Sequence, residues 1–167
     1  MSAGKSTLIN TLIGKNIART AQSVCTGNLC YIYNQSVDDG KVIFYSENQL
    51  NLDADNQVLQ SFDWINPVSI TCYFRNVYCS QQRVCLIDTP GVNAAINPIH
   101  GEITRNAILN QTYQLLIHVL NANKLGSDSE ISYLIWMKEH LPQNRKIIFV
   151  LNKLDDFKLS EDNIPES

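Results

Sequence analysis

Nowhere in the 167 residues do lysine and arginine cluster, and the net charge is −3. A nucleic-acid groove or a patch for an anionic membrane therefore has no support within this stretch. No apolar run reaches the ~18 residues that span a bilayer. The first residues carry no signal-type apolar core and no cleavage site, which argues against export and for a cytoplasmic protein. The five cysteines (Cys25, Cys30, Cys72, Cys79, Cys85) form no C-x-x-C pair. Reduced, mostly buried thiols are a better reading than zinc or disulfides. His100, His118 and His140 are scattered without ligand spacing and read as structural or surface residues. Repeats, low-complexity tracts and linkers are absent too, so residues 1–167 are expected to form one domain with a core of its own.

What is present is an alternation of helix and strand signals, the mark of an α/β sandwich. Lys5–Ile13 reads as a helix with Leu8, Ile9, Leu12 and Ile13 on one face and Gly14 near its end. Leu29–Tyr33 and Val42–Tyr45 read as strands joined in a hairpin by Asp38-Asp39-Gly40. Residues 46–66 are ambiguous, with Leu52, Val58, Leu59 and Phe62 hinting at a helix. Val68–Phe74 and Val84–Ile87 follow as strands, then a helix over Glu102–Thr112 and a buried strand over Leu115–Leu120. Ser127 with Glu130 forms a capping box before a helix to about His140, with Ile131, Leu134 and Ile135 turned inward. Ile147–Leu151 is the last clear strand.

Three short motifs carry the chemistry. Gly4-Lys5-Ser6-Thr7 opens the first helix. Backbone N–H groups there, with the helix dipole, favour a β-phosphate. Lys5 reaches the β- and γ-phosphates, and the Ser6 hydroxyl is a ligand for Mg²⁺. Next comes Asp88-Thr89-Pro90-Gly91 after the buried strand Val84–Ile87. A carboxylate at such a strand end can hold Mg²⁺, and Gly91, lacking a Cβ, can bring its N–H to the γ-phosphate. The third is Asn152-Lys153-Leu154-Asp155, again at a strand's carboxyl end. Asp155 can accept from the ring N–H and the exocyclic amine of guanine, which adenine does not offer together. Asn152 braces the base and the loops, and the Lys153 stem packs on the ring. Each tetrapeptide alone has an ordinary turn as its rival reading. Their order and their strand–loop context favour a GTP site.

These motifs resemble those of P-loop GTPases of the translation-factor-related class, and within it the bacterial dynamin-like proteins. The stretch M-S-A-G-K-S-T-L-I-N-T-L-I-G-K is very similar to that family's phosphate loop and first helix. The long interval from Lys5 to Asp88 also looks like the dynamin type. The resemblance implies a three-layer sandwich with a mostly parallel central sheet, binding GTP or GDP with Mg²⁺ and hydrolysing GTP. It implies Thr26, in Val24-Cys25-Thr26, as the switch ligand to Mg²⁺ and orienter of the attacking water, with Thr20 as a competitor. Ser2 matches a position where dynamin-like enzymes use a serine to stabilise transition-state charge; the neighbouring Gln of eukaryotic dynamins is Met1 here. Val92 follows Gly91, so no water-positioning Gln stands there, and the intrinsic turnover of a lone domain is expected to be slow.

Related GTPases of the ribosome-assembly type, and a degenerate fold acting as a non-catalytic interaction module, remain as alternatives. The resemblance further implies self-association of the parent through this domain. It leaves open membrane association through regions outside the chain.

The family's loop also begins with a glycine five residues before Gly4, at the end of a central strand, and continues past the guanine motif with another strand and a base-supporting loop. Neither is found, so the chain is expected to be a partial domain lacking its first strand and its last strand and helix. Each buried group left unpaired by a missing strand costs roughly 1–3 kcal/mol, against a domain stability of ~5–15 kcal/mol. The chain alone is therefore expected to be marginal and to bind nucleotide weakly or not at all.

Overall fold

Period-two alternation sets the first sheet. In β1 (Cys30–Asn34), β2 (Val42–Ser46) and β4 (Val68–Cys72), buried residues alternate with less buried ones, and only Asn34 at the end of β1 breaks the pattern. The computed structural model describes residues 3–18, 27–61, 66–91 and 98–155. Two further strands, β3 (Gln49–Asn51) and β5 (Cys85–Asp88), complete a five-stranded sheet of order β3-β2-β4-β1-β5. Its inward face carries Cys30, Ile32, Val42, Phe44, Val68 and Ile70, packed with Ile13, Ile17, Leu59 and Phe74. Six of these, including Phe44 and Phe74, are fully excluded from solvent. Truncating either phenylalanine to alanine would cost about 3–5 kcal/mol. The opposite face presents Tyr33 and Tyr45, both exposed.

Helices α1 (Lys5–Ile13), α2 (Asn56–Ser61), α3 (Val77–Ser80) and α4 (Pro98–Asn110) complete this first unit, which extends to Gln111. A second compact unit begins at Thr112. There β6 (Leu116–Asn121) and β7 (Ile147–Asn152) pair in parallel from Leu116↔Ile147 to Asn121↔Asn152. Between them in sequence lie a 3₁₀ turn (Ala122–Lys124) and α5 (Asp128–His140). No helix among the described residues is long and apolar enough to cross a membrane.

The pairing departs from the sequence expectation in two ways. β1 and β2 do not form a hairpin, although the turn itself is made: Asp39 Oδ1 accepts from Lys41 N–H at 3.0 Å, and Gly40 has φ 77°. Strand β4 lies between them, parallel to β1 and antiparallel to β2. The true hairpin is β2–β3, turning at Glu47-Asn48. Second, the five-stranded sheet is mixed rather than mostly parallel: β1–β4 is parallel while β1–β5, β2–β3 and β2–β4 are antiparallel.

Helix α5 also differs. Ser127 is its N-cap residue, but the side chain caps nothing, and Glu130 Oε2 is buried without a partner. The inward residues are Tyr133 and Met137, while Ile131 and Ile135 are exposed. Tyr133 stacks on His118 of β6, with ring centroids 5.5 Å apart, and this aromatic contact sets the helix rotation. An i, i+3, i+4 pattern read without that partner fits more than one rotation.

At the end of α1, Gly14 has φ 77°, and a Cβ there would stand 2.9 Å from the Arg75 Cβ. The chain crosses closely because Arg75 N–H donates to Ile13 O at 2.7 Å. Gly14→Ala is expected to cost about 2 kcal/mol, lowering the melting temperature by about 4–8 °C. An unchanged melting temperature would show that the crossing relaxes freely.

Candidate functional site

Helix α1 starts at a residue that only glycine adopts readily: Gly4 has φ 92°, in the left-handed region. The first intrahelical bond runs from Leu8 N–H to Gly4 O at 3.0 Å. The N–H groups of the first turn, which holds Lys5, Ser6 and Thr7, have no acceptor within the helix. That turn contains no acidic side chain. It is thus an N-terminal dipole end with a lysine beside it, suited to an anion.

Strand β5 delivers Asp88 to the same place. Ser6 Oγ donates to Asp88 Oδ2 at 3.0 Å across a sequence separation of 82 residues. Asp88 is 1 % exposed, and its other oxygen, Oδ1, has no hydrogen-bond partner among the described residues. Burial pushes its pKa above the ordinary value of 3.8, while the Lys5 charge, the Ser6 hydroxyl and the Thr89 backbone N–H pull it down. The sign follows from linkage. A carboxyl whose pKa is raised by folding contributes stability that is fully present below pH 3.8 and is lost as pH rises through the folded value. The burial of Asp88 therefore makes the fold less stable at neutral pH than in acid. A hydroxyl and a carboxylate with one orphaned oxygen are hard oxygen donors and fit a small divalent cation such as Mg²⁺.

The turn after Asp88 is braced from α4. Thr104 Oγ1 donates to Pro90 O at 2.9 Å, and both residues are buried. Gly91 lies open on its Cβ side, where a side chain would meet nothing among the described residues. Asn10, one turn after Ser6 on α1, makes a second brace. Its Oδ1 accepts from Ile17 N–H (2.9 Å) and Ala18 N–H (2.7 Å), and its Nδ2 donates to Ala18 O (2.9 Å). This fixes the chain just before residues 19–26. Sequence reading missed both Thr104 and Asn10. Asn10 stands off the face formed by Leu8, Ile9, Leu12 and Ile13, and neither residue had a signal in the sequence. A cleft of about 280 Å³ also opens on α1, lined by Thr7, Asn10, Thr11, Gly14, Lys15 and Asn16. It includes none of Lys5, Ser6 and Asp88.

In the second unit, β7 ends at Asn152, and Lys153 has φ 62°, the one positive φ outside glycine among the described residues. Asp155 is exposed. Of the residues singled out in the sequence, the structure brings together Lys5, Ser6 and Asp88. It sets Asn152, Lys153 and Asp155 at one strand end in the other unit. Ser2, Thr20 and Thr26 lie outside the described residues.

Comparison with known proteins places the chain in a family. The model of the dynamin family matches residues 1–154, a span that takes in both units. Dynamin-like protein A of Bacillus subtilis (strain 168) is 27 % identical over 160 residues. That alignment covers 92 % of this chain and 13 % of the relative. A left-handed glycine, a helix that opens on lysine and serine, and a buried strand-end aspartate bonded to that serine are thus set within a matched span of nearly the whole sequence: the chain belongs to the dynamin family.

Proposed function

We propose that this domain binds GTP together with Mg²⁺ and hydrolyses it. The observation that carries the reading is the Ser6–Asp88 hydrogen bond at the start of α1, with Lys5 beside it and Asp88 Oδ1 left unpartnered. The amides of the first turn take the β-phosphate, and Lys5 offsets charge on the β- and γ-phosphates. Ser6 and Asp88 would hold Mg²⁺, with Thr26 as the further ligand. When bound, the ion neutralises phosphate charge in the transition state. Thr26 orients the attacking water, Gly91 offers its N–H to the γ-phosphate, and Ser2 adds a donor to the developing charge. Asp155 reads guanine, with Asn152 bracing the turn and the Lys153 stem on the ring. Because Val92 stands where a water-positioning glutamine would be, turnover rests on these groups and on a second protomer that completes the site.

Asp88→Asn separates this reading from a structural role for the aspartate. In the full-length protein carrying this domain, phosphate release from GTP is expected to require Mg²⁺ and to fall at least about a hundredfold in the variant. In metal-free buffer at neutral pH the variant is expected to melt no lower than the unmodified protein, since it removes a buried carboxyl whose ionisation weakens the fold. Full activity in Asp88→Asn, or Mg²⁺-independent release, would contradict the proposal.

A further inference from the structure

The carboxyl end of β6 holds a polar group that none of the three motifs contains. Asn121 is 4 % exposed. Its Oδ1 accepts from Asn123 N–H at 3.0 Å, capping the 3₁₀ turn Ala122–Lys124. Its Nδ2 is also buried, yet it has no hydrogen-bond partner among the described residues. An unpaired buried donor weakens a fold, and such groups persist where they serve a function.

Position indicates which function. β6 and β7 are parallel, and Asn121 is in register with Asn152. In-register neighbours on parallel strands send their side chains to the same face, about 5 Å apart. Immediately after Asn152 comes Lys153 at φ 62°, a conformation that non-glycine residues adopt at a cost. An unsatisfied donor and a strained turn therefore adjoin at one strand end, where the guanine-reading motif begins.

We infer that Asn121 is a positioning residue of the guanine site. Its Nδ2–H donates to the Asn152–Asp155 turn when a guanine nucleotide is bound, and so fixes the turn with Asp155 toward the base. This inference rests on the GTP reading above. It gives Asn121 a signature that a structural residue lacks: losing the donor leaves the nucleotide-free fold intact and weakens guanine binding.

Asn121→Ser tests it, because serine keeps an acceptor for Asn123 N–H and removes the amide donor. Asn121→Thr, which fills more of the volume with the same acceptor, is the second variant. In the full-length protein the nucleotide-free melting temperature is expected to stay unchanged or rise. The affinity for GDP is expected to fall about fivefold to tenfold, and KM for GTP to rise by the same factor with kcat within about twofold. Unchanged GDP affinity in both variants would overturn the inference and leave the GTP reading standing. Affinity lost only in step with a lower melting temperature would overturn it too, as the mark of a structural role. If the unmodified protein binds no guanine nucleotide, both readings fall.

Discussion

Lys5→Ala is expected to lower GTP turnover by about a hundredfold to a thousandfold in the full-length protein carrying this domain. The lysine stands in the first turn of α1, where the helix dipole already favours an anion. Its charge is felt by the buried Asp88, whose pKa it pulls down, so it lies within electrostatic reach of the proposed metal ligands. A triphosphate brings several negative charges to this end, and negative charge shifts toward the leaving oxygens as the γ-phosphoryl group departs. Lys5 is the cation that meets it. Arginine should not restore the rate, because its planar fork replaces a compact point charge. The α1 helix should survive, since alanine is the best helix former and Lys5 packs no core side chain. Phosphate release measured for the alanine variant, with melting as the control, checks this. A rate within about threefold of the unmodified protein would show that the lysine has no part in the chemistry.

Asp155→Asn is expected to move base preference from guanine to xanthine nucleotides. An ionised carboxylate accepts from both the ring N–H and the exocyclic amine of guanine. Each bond to a charged group contributes roughly 1.5–3 kcal/mol, so the pair supports a preference of about a hundredfold to ten-thousandfold. The amide of asparagine turns one acceptor into a donor, which suits the exocyclic oxygen of xanthine. Since Asp155 is exposed, the change should leave the melting temperature within about 1 °C. Titration of GTP and XTP against both proteins is the check. Unchanged GTP selectivity would remove Asp155 from the base site.

The parts of this account that were legible in the sequence are local ones. Helix α1 follows from Leu8, Ile9, Leu12 and Ile13 recurring at helical spacing, with Gly14 ending it. The two halves of the proposed site follow from tetrapeptides at the ends of apolar runs. What the sequence concealed is non-local. The hairpin expected at Asp38-Asp39-Gly40 does not form, because β4, arriving more than 30 residues after β1, pairs with both strands that the turn connects. A turn signal specifies the turn and not the neighbour of each strand. The rotation of α5 depends on Tyr133 meeting His118, a contact with no trace in helix periodicity. Asn10 and Thr104 act through backbone atoms far along the chain or in another element, and a single sequence does not mark such partners.

The central claim is that the chain binds guanine nucleotides in preference to adenine nucleotides. Competition at equilibrium tests it most directly. The full-length protein is loaded with a fluorescent guanine nucleotide in Mg²⁺ buffer and challenged with unlabelled GTP or ATP. The account predicts displacement by GTP at stoichiometric excess, and almost none by ATP at the same concentration. Equal displacement by the two, or failure of the labelled nucleotide to bind at all, would contradict it.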